Sequence, residues 1–211
     1  MDRFRKWLLS GLLAGLAACA DLSTQFGARI IDPGQPIALG PEEILVVGRI
    51  RILENGRSKL PYSWGKPIWQ LETLGGPDTP HRYLPFLSTR EDGRFVYAIP
   101  AGRYRMAHVA PFYYQPLIDP ALAFAGPTPG HVYYLGELVL DLDTTSWLGG
   151  LWGNYILKIN YLEVLDLPGD LTGALPTTLV MEPALFTRLP GQLPALMLNG
   201  GGLLGSMRFH R

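Results

Sequence analysis

Asp92-Gly93-Arg94-Phe95-Val96-Tyr97-Ala98-Ile99-Pro100-Ala101-Gly102-Arg103-Tyr104 is the stretch that decides the fold. Its Asp-Gly pair allows a tight turn with positive φ at the glycine. Phe95, Tyr97 and Ile99 then occupy alternate positions, so one side of a strand carries three large apolar groups. Pro100-Ala101-Gly102 turns the chain back, and Tyr104 comes to pack beside them. The stretch therefore reads as a β-hairpin with one face in a core.

The same alternation recurs outward in both directions, giving seven strands from Glu43 to Val164. The first sets Ile44, Val46, Gly48, Ile50 and Ile52 on one face, with Arg49 and Arg51 on the other. The second runs from Pro67 to Leu71, the third from Arg82 to Leu87, and the fourth is Arg94 to Ile99. In the fifth, Arg103 to Ala110, Tyr104, Met106 and His108 oppose Arg103 and Arg105. The sixth, Val132 to Asp141, sets Val132, Tyr134, Leu138 and Leu140 against Glu137 and Asp141. The seventh, Tyr155 to Val164, alternates Tyr155, Leu157, Ile159 and Tyr161 with Lys158 and Asn160. Period-two patterning with charge on one side marks strands of a half-buried antiparallel sheet, and seven of them with turns between predict an all-β, seven-stranded β-sandwich. One short helix is expected between strands five and six. Asp119 would be its N-cap, Pro120 its first helical residue and Gly126 its end.

At this point the chain resembles a family. The stretch Asp92–Tyr104 is similar to the signature hairpin of carboxypeptidase-regulatory-like domains, and Gly48-Arg49-Ile50 with Asn55-Gly56 is similar to their opening strand and turn. The resemblance covers about Glu43 to Leu165 and implies a transthyretin-like sandwich, mostly a non-catalytic binding or scaffolding module. Pro61 to Pro85 departs from the pattern.

Composition suits this reading. The 211 residues are 47% hydrophobic and only 17% charged, enough apolar material for a core. The formal net charge is zero. Taking away residues 1–18 removes Arg3, Arg5, Lys6 and Asp2, so 18 basic and 18 acidic groups become 15 and 17, a net of −2. No basic patch remains for a phosphate backbone, which excludes nucleic acid as an expected partner.

The N-terminus reads as an address. Three cations precede an apolar run from Trp7 to Ala18. As a helix it would measure about 18 Å against about 30 Å of bilayer hydrocarbon, the form of a secretory signal rather than a span. A buried N-terminal helix is the alternative. The run ends in Leu16-Ala17-Ala18-Cys19, which resembles the lipobox of bacterial lipoproteins. That resemblance implies cleavage before Cys19, acyl chains on its thiol, and a membrane as partner. Ala20, rather than an acidic residue, follows the cysteine, and this favours the outer membrane, facing the periplasm. Cys19 is the only cysteine, so no disulfide framework is expected, although a free thiol or an intermolecular bridge stays open. The expected organisation is a signal peptide at 1–18, a lipidated cysteine and tether at 19–42, the sandwich at 43–165 and a Pro/Gly-rich extension at 166–211. The tether, if loose, spans about 26 Å on average, though Ala28 to Ile31 or Ile37 to Leu39 would alternatively lie along the domain's edge.

Motifs for chemistry are sparse. His81, His108, His131 and His210 are scattered without metal-ligand spacing, so neither metal nor cofactor is expected. His108, on the side of Tyr104 and Met106, reads as a hydrogen-bonded core histidine. Asp141 and Asp143 share a strand face and would present paired carboxylates or simply a solvated strand end. Between strands six and seven, Trp147 and Trp152 flank glycines, and they either contact a partner or fold back to cap the sandwich. Phe112-Tyr113-Tyr114 reads as core packing. Beyond Val164, Pro183 to Leu189 is expected to make a helical turn, and Leu196-Met197-Leu198 with Leu203-Leu204 a hairpin across Asn199-Gly200. These features point to a non-catalytic binding or structural module of the envelope with an envelope protein partner. The alternative is a periplasmic hydrolase acting on an envelope component.

Overall fold

A computed structural model describes residues 27–31, 36–62, 65–75, 82–111, 117–146, 154–167 and 181–197. Among these residues there are fourteen strands and no helix. They are β1 (Arg29–Ile30), β2 (Glu43–Glu54), β3 (Arg57–Ser58), β4 (Ile68–Thr73), β5 (Leu87–Ser88), β6 (Arg94–Pro100) and β7 (Gly102–Ala110). After these come β8 (Leu117–Asp119), β9 (Leu122–Gly126), β10 (Val132–Ser146), β11 (Asn154–Leu165), β12 (Met181–Pro183), β13 (Thr187–Arg188) and β14 (Ala195–Met197). One sheet has the order β1-β6-β2-β10-β11, with β3 on β2 and β12 on β10. The other has the order β13-β9-β7-β4-β5, with β8 on β7 and β14 on β8. All pairings are antiparallel except β2 with β10 and β10 with β12. The two sheets bury one core between them in a sandwich-like arrangement, each with seven strand segments rather than seven in all.

The deciding stretch delivers its inward face as expected. Phe95, Tyr97, Ile99 and Tyr104 are all buried in the shared core. Trp69 of β4 lies against Phe95 and Tyr97, with ring centroids 4.6 and 6.0 Å away. The pairing differs from a hairpin, however. β6 bonds to β2 and β1 in the first sheet, whereas β7 bonds to β4, β8 and β9 in the second. Pro100-Ala101-Gly102 is thus a corner carrying the chain from one sheet to the other, and the Tyr104 hydroxyl closes it by donating to the Pro100 carbonyl at 2.6 Å.

The expected helix is also absent. Asp119 ends β8, its Oδ1 accepts from the Ala121 amide at 2.9 Å, and Ala121 sits at φ 52°. The residues that resembled a helix cap build a local kink instead. Beyond it, Leu122 and Phe124 alternate inward and pair with β7 in register from Met106↔Leu122 to Gly102↔Gly126. Period-two burial across a preformed strand outweighs a short helix that would bury only one side. Likewise the third strand shrinks to a bridge at Tyr83 and the two residues of β5. Residues 183–189 contain the end of β12 and β13 rather than a helical turn. Leu196 pairs with Ile118, and Leu203-Leu204 lies outside the described residues.

Two bulges decide which way side chains face. In β10, Tyr134 pairs with Val47 but Glu137 pairs with Arg49, so Leu135 and Gly136 together oppose Gly48. Gly136 adopts φ +90°, and a Cβ there would meet the Leu165 carbonyl at 3.0 Å. The phase therefore inverts. Val132 and Tyr134 point outward, into a second apolar cluster with Leu45, Val47, Val96 and Ala98, whereas Leu138 and Leu140 point into the main core as expected. The Glu137 carboxylate lies outward as the alternation expects, 3.1 Å from Arg51 Nε and 3.7 Å from Arg49 Nε. In β7, Gln70 pairs with His108 and Leu71 with Met106, leaving Ala107 unpaired. His108 consequently faces outward, opposite to Tyr104 and Met106, and is not the core histidine the alternation predicts.

The outer cluster is covered by the chain ahead of β2. Ile37 and Leu39 pack on it, as do Met181 and Leu185, and the Arg29 guanidinium donates to the Ala38 carbonyl and to Glu43 at 2.7 and 2.9 Å. Ile31 donates its amide to the Val96 carbonyl. Segments 28–31 and 37–39 thus lie along the first sheet.

Candidate functional site

The outward turn of His108 gathers a polar group on the outer face of the second sheet. Arg105, one β7 position before Met106, forms an ion pair with Asp119 and lies 3.8 Å from Glu72 Oε2. The His108 ring stacks on Tyr83 at 6.3 Å, and its Nδ1 is buried without a hydrogen-bond partner among the described residues. Burial lowers the His108 pKa and Arg105 adds to that, with Asp119 and Glu72 opposing. The result is a neutral imidazole laid over a tyrosine beside a guanidinium already shared by two carboxylates. Sequence reading missed this group, because Glu72 and Asp119 come from different strands and the bulge carries no mark.

The other expected residues are placed individually. Asp141 and Asp143 do share a face, and Asn160 joins them, its Nδ2 donating to Asp141 at 3.3 Å and Asp143 at 2.6 Å. Asp141 also accepts from the Gly56 amide at 3.1 Å. The two carboxylates thus knit β10 to β11 and to the β2–β3 turn. His131 meets Glu182 at 2.5 Å, tying the start of β10 to β12. Cys19, Trp147 and Trp152, together with Phe112-Tyr113-Tyr114, His81 and His210, lie outside the described residues. Among the described residues, no group of three or more His, Cys, Asp or Glu side chains stands close enough to hold a metal ion.

Two clefts open on the described surface. One, of about 560 Å³, is lined by Ile30, Lys66, Arg90 and Asp92 with Tyr97, whose hydroxyl donates to the Ser88 carbonyl. The other, of about 610 Å³, opens at the end of the sandwich beside the β6–β7 corner. Burial pushes the Tyr104 phenol in its wall up to about 12, so it stays neutral.

No family model matches the chain, and no curated protein does. Among solved structures it is similar to a 9R-lipoxygenase from Cyanothece PCC8801, at 12% identity and a TM-score of 0.26. The match covers 66% of this chain and 24% of that chain, so this chain spans a small part of the lipoxygenase's length.

Proposed function

We propose that the chain is a lipoprotein of the bacterial envelope, anchored by lipid on Cys19, whose transthyretin-like sandwich is a non-catalytic binding or structural module. The observation that carries this is Leu16-Ala17-Ala18-Cys19, which closes a twelve-residue apolar run that follows a charged start. The sandwich supports the second half of the reading. Its sheets contain β6-β2-β10-β11 facing β5-β4-β7-β9, with β2 and β10 parallel at the centre, an order consistent with a transthyretin-like domain. Gly27 lies against Pro100, so at most eight peptide links, about 29 Å fully stretched, separate the body from Cys19. The domain accordingly works close to an outer-membrane surface on the periplasmic side.

The contact surface for an envelope protein is the loop carrying Trp147 and Trp152, since indoles at a Gly-rich tip supply large contact area. Mass spectrometry of the mature N-terminus from the native host tests the anchor: acyl chains on Cys19 support it, and an unmodified Cys19 ends it. In-cell crosslinking of the Trp147→Ala/Trp152→Ala double variant tests the contact surface. A wild-type melting temperature with loss of the captured partner is the expected result, and a large drop in melting temperature would assign the indoles to the core instead.

A further inference from the structure

The second sheet carries a pair of exposed rings that neither the anchor nor the tryptophan loop uses. Tyr83 is 51% exposed and Phe86 is 49% exposed. Both belong to the edge segment beside β4, whose Leu84 and Leu87 are buried in the main core, so the two rings turn away from it. Three residues, no more than about 10 Å of chain, separate them.

Register fixes what lies beside the rings on the outer face. Tyr83 bridges Glu72, Glu72 pairs with Arg105, Arg105 with Ala123, and Ala123 with Thr187. This row crosses the face over about 19 Å at ordinary strand spacing. His108, paired with Gln70, stands next to the row, and its ring and that of Tyr83 lie within 8° of parallel. The orientation of the tyrosine is therefore set before any ligand arrives, which lowers the entropy lost on capture. The charges of the face cancel. Register places Arg103 and Arg105 there with Glu72, and Asp119 joins through its ion pair with Arg105, so two cations stand against two carboxylates.

Exposed rings beside planar polar groups, with no excess charge, suit one ligand chemistry. A β-linked pyranose offers an apolar C–H face to an aromatic ring, and around it a rim of hydroxyls that donate and accept. Carboxylates and a guanidinium are partners for such hydroxyls, and a carboxylate oxygen already paired with arginine keeps a lone pair for one more donor. An anionic polymer would meet no surplus of cations here. A wholly apolar ligand would strip water from Glu72 and Arg105 without replacing its hydrogen bonds. An open sheet face also fits a polymer lying across it, whereas a small molecule is held in a concave pocket. We infer that this face binds an extended β-linked glycan, with sugars stacked on Tyr83 and Phe86 and their hydroxyls on Glu72, Asp119 and Arg105. The inference depends neither on lipid at Cys19 nor on the tryptophan loop.

The test is a calorimetric titration of the full chain in phosphatidylcholine nanodiscs with chitotetraose and cellotetraose, with amide chemical shifts locating the site. Maltotetraose, whose α-linkages coil the chain, and monomeric N-acetylglucosamine serve as parallel arms. Saturable binding of a β-linked tetramer is expected, with shifts at Gln70, Tyr83, Phe86 and His108. Its affinity should exceed that of both comparison sugars by about tenfold or more. Preference for one β-linked tetramer over the other supports the inference and names its sugar. Tyr83→Ala and Phe86→Ala should each weaken binding by about fivefold or more at the wild-type melting temperature, since both side chains are half exposed. Tyr83→Phe should bind like the wild type, because stacking needs the ring and not the hydroxyl. Should Tyr83→Ala melt low through loss of its His108 contact, Phe86→Ala and the shift map decide. No saturable response to either β-linked tetramer, shifts confined to other faces, equal binding of maltotetraose, unweakened alanine variants or loss of binding in Tyr83→Phe would overturn the inference.

Discussion

β6 and β7 follow one another across a single corner, yet they treat their side chains differently. β6 runs in strict register against β2 from Glu43↔Pro100 to Arg49↔Arg94, and Phe95, Tyr97 and Ile99 all enter the core. β7 begins the same way with Tyr104 and Met106, and then the unpaired Ala107 reverses it. Val109 points in, and His108 points out beside Gln70 and Tyr83. β10 reverses in the same manner at Gly136. The contrast teaches that alternation belongs to a pair of strands rather than to one. The β7 bulge sends His108 to an outer face that uninterrupted alternation would have denied it, and the β10 bulge turns Val132 and Tyr134 onto the outer face that carries Glu137.

The comparison breaks most easily in β6. Phe95 is 1% exposed, tilted at 48° against Trp69 and seated over Gly48, where a Cβ would come within 2.5 Å of its ring. Phe95→Ala is expected to destabilise the domain by about 3–5 kcal/mol, whereas Arg94→Ala on the other face costs less than about 0.5 kcal/mol. Denaturant midpoints check both, and similar values would show that β6 does not hold its strict phase.

Gly136→Ala probes the marked bulge. A side chain at φ +90° and against the Leu165 carbonyl is expected to cost about 1–3 kcal/mol. A neutral outcome in thermal melts would mean that β10 reverses without needing its glycine.

A smaller effect sits at the corner that separates the two strands. Tyr104→Phe removes only the hydroxyl that donates to Pro100, and about 0.5–1.5 kcal/mol is the expected loss. Unchanged stability would leave the corner held by its backbone alone.

The finest test concerns the unmarked bulge. Burial first, and Arg105 second, lower the His108 pKa, so the unfolded chain takes up the proton more readily than the folded one. Its contribution to stability is complete above the ordinary value of 6.5 and declines as pH falls below it toward the lowered folded value. His108→Gln should flatten that acid-side decline in unfolding free energy. Curves that stay parallel would place His108 in a setting no different from solvent.

Much of the sandwich was readable because its strongest strands say the same thing at several levels. In β2 the arginines, the β-branched residues and the following Asn55-Gly56 agree, and the strand forms as expected. The helix over Asp119–Gly126 was misread because an aspartate that accepts from the amide two residues on serves a kink as well as a cap. Gly136 was visible as a glycine inside a strand pattern, a known sign of a bulge, whereas nothing about Ala107 distinguishes it from its neighbours. The site was less legible than the fold. Arg105, Glu72 and Asp119 come together only through pairing between distant strands, and the cleft beside Pro100 lies at the corner where β6 and β7 part instead of forming a hairpin.

The parallel pairing of β2 with β10 at the centre of the first sheet has a consequence for how the chain acquires its shape. Asn55 and Thr144, which exchange hydrogen bonds beside that pairing, are 89 positions apart. Until Val132–Leu142 arrives, β2 keeps one side bare, and β1-β6-β2 is a three-strand fragment with an unsatisfied inner edge. Loop closure of that span must come before its reward, which makes assembly slow for a domain of this size. A chain cut short before β10 would present the bare edge of β2 as an open template for other chains, so fragments of this sequence are expected to aggregate rather than to fold in part.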